Sequence, residues 1–219
     1  MSINKQKLLL ATTNRGKTKE FRLMLEPLLD GLGLTLSTLS DLSGLATEEG
    51  GGSRSEPVED GGTFRENAGI KARHYSGLSG LPTLADDSGL SVDALNGGPG
   101  VRSARLGGPG LIDAERCLAL LELMRGKTDR RARFEACLVL AMAGKSDVLC
   151  YSGRLEGTIT ERPVGSGGFG YDPVFIPAGS ELTLAQLDPS EKNKISHRSR
   201  ALESLAADVQ KVRVWLDNY

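Results

Sequence analysis

The apolar run Leu81–Ala85 breaks into two adjacent aspartates, Asp86 and Asp87, and no other feature of this chain narrows its fold as much. Leu81, Thr83, Leu84 and Ala85 read as a short buried strand, expected to stop at Asp86, Asp87, Ser88 and Gly89. Successive side chains on an extended backbone point to opposite faces, so the two acids diverge and one of them can be aimed into a cleft. A strand-end carboxylate suits a hard cation such as Mg2+, which prefers carboxylate oxygens and keeps several waters, and it can also take a proton from an attacking water. An Asp-Ser-Gly turn between two strands fits the same residues. Beyond it, Asn96–Gly100 reads as a glycine-rich turn followed by Arg102 and Arg105.

The flanking segments point to an α/β chain. Lys7–Ala11 is short enough for a buried first strand, Thr12–Gly16 is a polar turn, and Lys17–Leu29 has helical spacing with Phe21, Leu25 and Leu28 on one face. A helix N-terminus offers unpaired amides and a positive dipole end, so this turn can cradle phosphate with Lys17 as a point charge. It is not a Walker A loop, which is longer and ends in Lys-Ser or Lys-Thr, and an ordinary turn with a solvated lysine fits it equally. Leu32–Leu39 reads as a second strand. The Ala46–Gly62 tract is rich in glycine, serine and acids, and Glu48, Glu49, Glu56, Glu59 and Asp60 are its candidate metal ligands or a solvated acidic loop. Thr63 and Glu66 form a capping box opening a helix through Phe64, Ala68, Lys71 and Ala72. Lys71 and Arg73 leave that helix in different directions, whereas Asn67 and Lys71 share a face.

Asp113–Met124 reads as an amphipathic helix with Leu118, Leu121 and Met124 inward, and Arg125–Arg133 as a basic loop. The apolar runs Phe134–Ala143 and Asp147–Leu155, joined at Gly144-Lys145-Ser146, predict a hairpin near the middle of a sheet. Gly165–Pro173 sets Phe169 among glycines. That ring is either a shelf for stacking a base or a core side chain. Asp188-Pro189 caps a further helix, and Ser196 caps the last, whose Leu202, Leu205, Val209, Val212 and Leu216 form one face. His197 and Arg198 are cations at a helix start, where the dipole opposes them, so something else is expected to hold them there.

Composition excludes several classes of function. A net charge of -1 over 219 residues argues against gripping long nucleic acid, so any nucleotide bound is expected to be small. The three cysteines, at 117, 137 and 150, have no metal-ligand spacing and no even count, and Cys137 and Cys150 read as small buried hydrophobes in a reducing compartment. No run reaches the length of a membrane span and the N-terminal apolar run is too short for a signal peptide, so a cytoplasmic, soluble protein without a membrane partner is expected.

The motifs combine in order. T-x-N-x-G-K at Thr12–Lys17, F-x-E-N-A at Phe64–Ala68, K-A-R at Lys71–Arg73, A-D-D-S-G-L at Ala85–Leu90, G-x-P-G-V-x-S-A-R at Gly97–Arg105, G-F-G-Y-D-P at Gly168–Pro173 and S-H-R at Ser196–Arg198 together resemble the inosine triphosphate pyrophosphatase family over nearly the whole chain. That resemblance implies an α/β fold: a long, twisted mixed β-sheet flanked by helices, in two lobes around a central nucleotide cleft, with residues 1–219 as one domain. It implies Mg2+-dependent hydrolysis of dITP, ITP and XTP to the monophosphate and pyrophosphate, by a homodimer with no nucleic acid polymer as partner. By the same resemblance Thr12, Thr13, Asn14, Arg15, Gly16 and Lys17, with Lys71, hold the phosphates. Asp87 is metal ligand and proton acceptor with Asp86 and Ser88 beside it, and Glu59 completes the metal site. Phe169, Gly170, Tyr171 and Asp172, with Lys192, His197 and Arg198, hold the base. Two departures are a longer, more glycine-rich Ala46–Pro57 tract and Thr13 where relatives often carry a smaller residue. Rival readings are a Maf-like pyrophosphatase acting on dTTP or UTP, a nucleotide sensor without turnover, and an RNA-binding module, the last disfavoured by the near-neutral charge.

Overall fold

The computed structural model describes residues 6–44 and 56–217, so Glu48 and Glu49 lie outside the described residues. In chain order the regular elements are β1 (Gln6–Ala11), α1 (Arg15–Leu32), β2 (Leu34–Thr38), α2 (Phe64–Ser79), β3 (Thr83–Val92), α3 (Asp113–Leu123), β4 (Arg131–Ala141), β5 (Leu149–Ile159), β6 (Phe175–Pro177), α4 (Pro189–Ile195), α5 (His197–Ala207) and α6 (Val209–Asp217). The strands form one sheet in the order β2-β1-β3-β4-β5-β6. β1 is parallel to β2 and to β3, whereas β5 and β6 are antiparallel, so the sheet is mixed, as the sequence implied. The segment between β4 and β5 is too short for a parallel crossover, which makes the pair the expected hairpin.

Two compact units divide the chain. The first takes in Met1–Asp87, Cys137–Tyr151 and Leu202–Tyr219; the second takes in Ser88–Ala136 and Ser152–Ala201. In the first unit, Asn14 caps α1 by accepting from the Lys17 amide at 3.0 Å. The helix therefore opens at Arg15 rather than at Lys17. Phe21, Leu25 and Leu29 are buried at helical spacing, with the expected Leu28 beside them lining the same apolar pocket as Leu25 and Leu29, and Gly33 ends the helix at φ 71, a conformation that favours glycine. Leu84 of β3 lines one apolar pocket with Leu8, Leu25, Leu140 and Leu205. Ala85, the next residue, faces the other way and packs with Ala11, Ala68, Ala72 and Cys137. Small side chains at that contact let α2 lie close to the sheet.

β3 does not stop at the acids. It continues through Asp86 and Asp87 to Val92, because Leu90 and Val92 are both fully buried in the core of the second unit and keep the backbone extended. A polar interruption that resembles a strand end is here the middle of a ten-residue strand. In the second unit, Leu90, Val92, Cys117, Leu120, Met124, Phe134 and Phe175 share one core. Leu118, expected inward, is 59 % exposed, and Cys117 and Leu120 take the fully buried positions; Met124 is buried and Leu121 packs against the core as expected. The expected single C-terminal helix is broken between α5 and α6 at Asp208, whose carboxylate accepts from Tyr151 at 3.0 Å. At Gly153 a side chain would run into the backbone of His197 and Ala201, so the absent Cβ lets α5 rest directly on β5.

Candidate active site

The pleat of β3 distributes its acids. Asp86 shares a face with Leu84 and meets the first turn of α1: its carboxylate, fully buried, pairs with Lys17 at 2.7 Å. Asp87 shares a face with Ala85 and meets α2, where Lys71 Nζ lies 3.5 Å from Asp87 Oδ1 and 2.9 Å from Glu59 Oε2. The divergence inferred from extended-strand geometry thus gives each acid its own lysine.

Glu59 reaches Lys71 because the chain just before α2 is clasped to that helix. The Gly61 amide donates to Asn67 Oδ1 at 2.8 Å, the Gly62 amide to Glu66 at 2.7 Å, and the Thr63–Glu66 capping box closes as expected. A Cβ on Gly61 would collide with Asn67 and Glu66. Asn67 is therefore a buried strut rather than a companion of Lys71 in the site. At the other turn, Asn14 also donates its amide to Thr12 Oγ1 at 3.2 Å, and Arg15 and Gly16, at the first positions of the helix, have amides with no intrahelical acceptor. Thr12, Thr13, Asn14, Arg15, Gly16 and Lys17 thus form a helix-terminus turn suited to an anion.

Burial of Asp87 pushes its carboxyl above the usual carboxylate range, against the pull of the Lys71 and Lys17 ammonium groups. For Lys71 burial works against the charge, but Asp87, Glu59 and the Glu59 hydrogen bond together outweigh it and raise its pKa. Asp87 Oδ2 is buried without a hydrogen-bond partner. Such an oxygen is costly to leave bare and marks a place where a cation or a proton belongs. Glu59 and Asp87, which meet at the Lys71 ammonium, are the candidate metal-holding carboxylates. Among the described residues no group of three His, Cys, Asp or Glu side chains converges as one would expect of a protein-only cage. A hard cation held by two carboxylates, with phosphate oxygens and water filling its other positions, fits this donor set.

The second unit carries the aromatic set. Phe169 is half-buried rather than tucked into the core, with Lys192 Nζ 4.6 Å and Arg198 Cζ 5.2 Å from its ring centroid. Lys192 is ion-paired with Asp172, both buried, and the same Asp172 oxygen accepts the Phe169 amide at 2.9 Å. Arg198 donates to Ser88 Oγ at 2.8 Å. His197 stacks on Phe134 at 4.9 Å with ring planes 10° apart. These contacts account for His197 and Arg198 at a helix start: ring stacking holds His197, and the Ser88 hydrogen bond with the Phe169 ring offsets the unfavourable dipole at Arg198. Phe169, Asp172, Lys192 and Arg198 come together. Tyr171 instead lies in the core and donates to the Ser103 carbonyl at 2.7 Å, so it anchors the loop.

Four supporting residues escaped the sequence reading. Asp113 accepts the Gly170 amide at 2.7 Å and Cys117 donates to the Gly170 carbonyl at 3.3 Å, so the start of α3 pins the Phe169 loop. Ser103 accepts the Leu90 amide at 2.9 Å and ties the Gly97–Arg105 segment to β3. Phe134 backs His197. Asp113 and Cys117 look like helix positions in sequence, Phe134 looks like a strand residue, and only the Gly97–Arg105 motif gave any signal for Ser103.

A mixed α/β sheet carrying paired lysines and carboxylates at a helix terminus, with an aromatic shelf flanked by cations, defines a protein built for a small phosphorylated ligand. The chain belongs to the Ham1 family, whose model matches residues 8–208. It is 41 % identical over 210 residues to the dITP/XTP pyrophosphatase of Desulfotalea psychrophila, covering 96 % of this chain and 88 % of that protein. It is 44 % identical over 204 residues to the dITP/XTP pyrophosphatase of Bacillus licheniformis, covering 92 % and 97 %. The solved structure of a HAM1 protein from Coxiella burnetii superposes with a TM-score of 0.81 at 39 % identity, over 94 % of this chain and 99 % of that one.

Proposed function

We propose that this protein is a dITP/XTP pyrophosphatase, hydrolysing dITP, ITP and XTP to the nucleoside monophosphate and pyrophosphate. The observation that carries the reading is the matching of each strand acid to a lysine, Asp86 to Lys17 and Asp87 with Glu59 to Lys71. A triphosphate brings about four negative charges, and its hydrolysis depends on positioning and charge neutralisation rather than on covalent help from the protein. Lys17, Lys71 and the amides at the start of α1 hold the phosphates. Asp87, with its carboxyl raised by burial, accepts the proton of the water that attacks phosphorus, the bond to the pyrophosphate leaving group breaks, and Asp86 keeps Lys17 oriented.

Mg2+ is the cofactor of this reading. When bound by Glu59 and Asp87 it supplies charge neutralisation and orients phosphate oxygens. The base lies on Phe169, with Lys192, Asp172, His197 and Arg198 around it. Inosine and xanthine carry an oxygen at C6, an acceptor that the His197 or Arg198 donors recognise. Residues 1–219 act as one domain, as a homodimer in the cytoplasm; among the described residues no helix is long and apolar enough to cross a membrane.

Pyrophosphate release is to be measured across ITP, XTP, GTP, ATP, dTTP and UTP, with and without EDTA. Release from ITP and XTP that stops on chelation supports the reading. Preference for dTTP or UTP, or nucleotide binding without release, defeats it.

A further inference from the structure

Cys137 and Cys150 take no part in the reaction above, yet their sulfurs lie only 3.1 Å apart. They sit on β4 and β5, the two strands of the hairpin, and a disulfide, with sulfurs about 2.0 Å apart, requires them to close by only about 1 Å. Cys137 is buried in the alanine-lined core and Cys150, packed against it, is half-buried, so one sulfur of the pair can meet a small solute. Cys150 is therefore the sulfur open to attack on a peroxide, and its surroundings favour the thiolate. The hydrogen bond from Cys137 lowers its pKa to about 7, against a smaller opposing effect of burial and with help from the Arg65 charge. The thiolate is the reactive form. Cys117 is the internal contrast: burial pushes its thiol up to about 12 and it donates to a backbone carbonyl.

We propose that Cys137 and Cys150 form a reversible dithiol–disulfide site that is oxidised by hydroperoxides, with Cys150 as the attacking sulfur and Cys137 as the resolving one. The Cys150 thiolate attacks one oxygen of the peroxide and the O–O bond breaks. Cys150 becomes a sulfenic acid, and the displaced oxygen takes a proton and leaves as water or an alcohol. The Cys137 sulfur then attacks the sulfenic sulfur, the S–O bond breaks, and the hydroxyl leaves as water with the Cys137 proton. Two thiols lose two electrons and one peroxide gains them. A dithiol reductant returns the pair to its starting state by exchange. In a reducing compartment a pair of this kind is a transient, redox-responsive bond rather than a structural staple. This site stands independently of the nucleotide reading.

The test treats the full chain with stoichiometric hydrogen peroxide, blocks remaining thiols by alkylation, and maps the peptides by mass spectrometry. The expected product is one intramolecular Cys137–Cys150 disulfide, with Cys117 alkylated and full reversal by dithiothreitol. Cys137→Ser should stop at a Cys150 sulfenic acid that dimedone traps. Cys150→Ser and Cys150→Ala should oxidise at Cys137 at least ~10-fold more slowly than the wild-type pair. Oxidation of Cys117 at the same rate, a disulfide between chains, or wild-type oxidation rates in both Cys150 variants would overturn the assignment. Mapping the wild-type protein alone decides the first two of these outcomes, whatever the variants do to folding.

Discussion

In the first unit the candidate lysines rest on carboxylates with which, on the proposed reading, an incoming triphosphate has to compete for them: Lys17 on Asp86, Lys71 on Glu59 and Asp87. In the second unit Lys192 is fixed on Asp172 while its ammonium also lies over Phe169, and nothing about binding a base requires that pair to part. Charge in the first unit is stored in exchangeable ion pairs, at a cost in burial visible in the raised Asp87 carboxyl. Charge in the second unit is spent on holding a shape. A phosphate site has to trade internal partners for ligand, whereas a base site gains most from being rigid before the ligand arrives.

The largest effect expected from this contrast is at Asp87. Asp87→Asn should lower kcat by about 10²–10⁴-fold, the range for loss of a general base, measured as pyrophosphate release from ITP. The same substitution should leave the metal-free protein as stable or more stable at neutral pH. A carboxyl whose folded-state pKa is raised adds its stability below the unfolded value, and loses it as pH rises through the folded one. Asparagine removes that loss, so thermal melts from pH 4 to 8 should show the variant gaining on the wild type as pH rises. A variant that is equally active, or less stable at neutral pH, breaks the comparison.

Lys192→Met tests the opposite behaviour. It strands the buried Asp172 carboxylate, so it should cost about 3–5 kcal/mol of stability in chemical denaturation, along with substrate affinity. Loss of affinity with stability unchanged would mean that the second unit also stores exchangeable charge. Phe169→Ala should cost about 1–3 kcal/mol, read as a rise in KM for ITP with little change in melting temperature, because the ring is half-buried. Ser88→Ala removes one hydrogen bond from Arg198 and should cost about 0.5–1.5 kcal/mol in kcat/KM, the smallest effect of the series.

How much of this was legible beforehand follows the range of each interaction. Thr63 with Glu66, Asp188 before Pro189, and Ser196 before α5 are caps whose partners lie within three residues, and all three form as read. The parting of Asp86 from Asp87 also follows from the local pleat. The errors arose where long-range burial decided: Leu118 turned outward and β3 ran past its acids because cores assembled from distant segments took Cys117, Leu90 and Val92 instead. The break between α5 and α6 is of the same kind, with Tyr151 reaching Asp208 from 57 residues away.

The sequence by itself determined the strand-turn-helix start, the capped helix that carries Lys71, and the order of motifs that marks the family. Tertiary structure alone decided which lysine meets which acid, that Glu59 is brought to Lys71, that Ser88 bonds Arg198 across 110 positions of chain, and that His197 rests on Phe134. Backbone geometry and capping act over a turn or a pleat and can be read from neighbouring letters. Pairing of buried charges and rings depends on how distant segments pack, which no local pattern encodes.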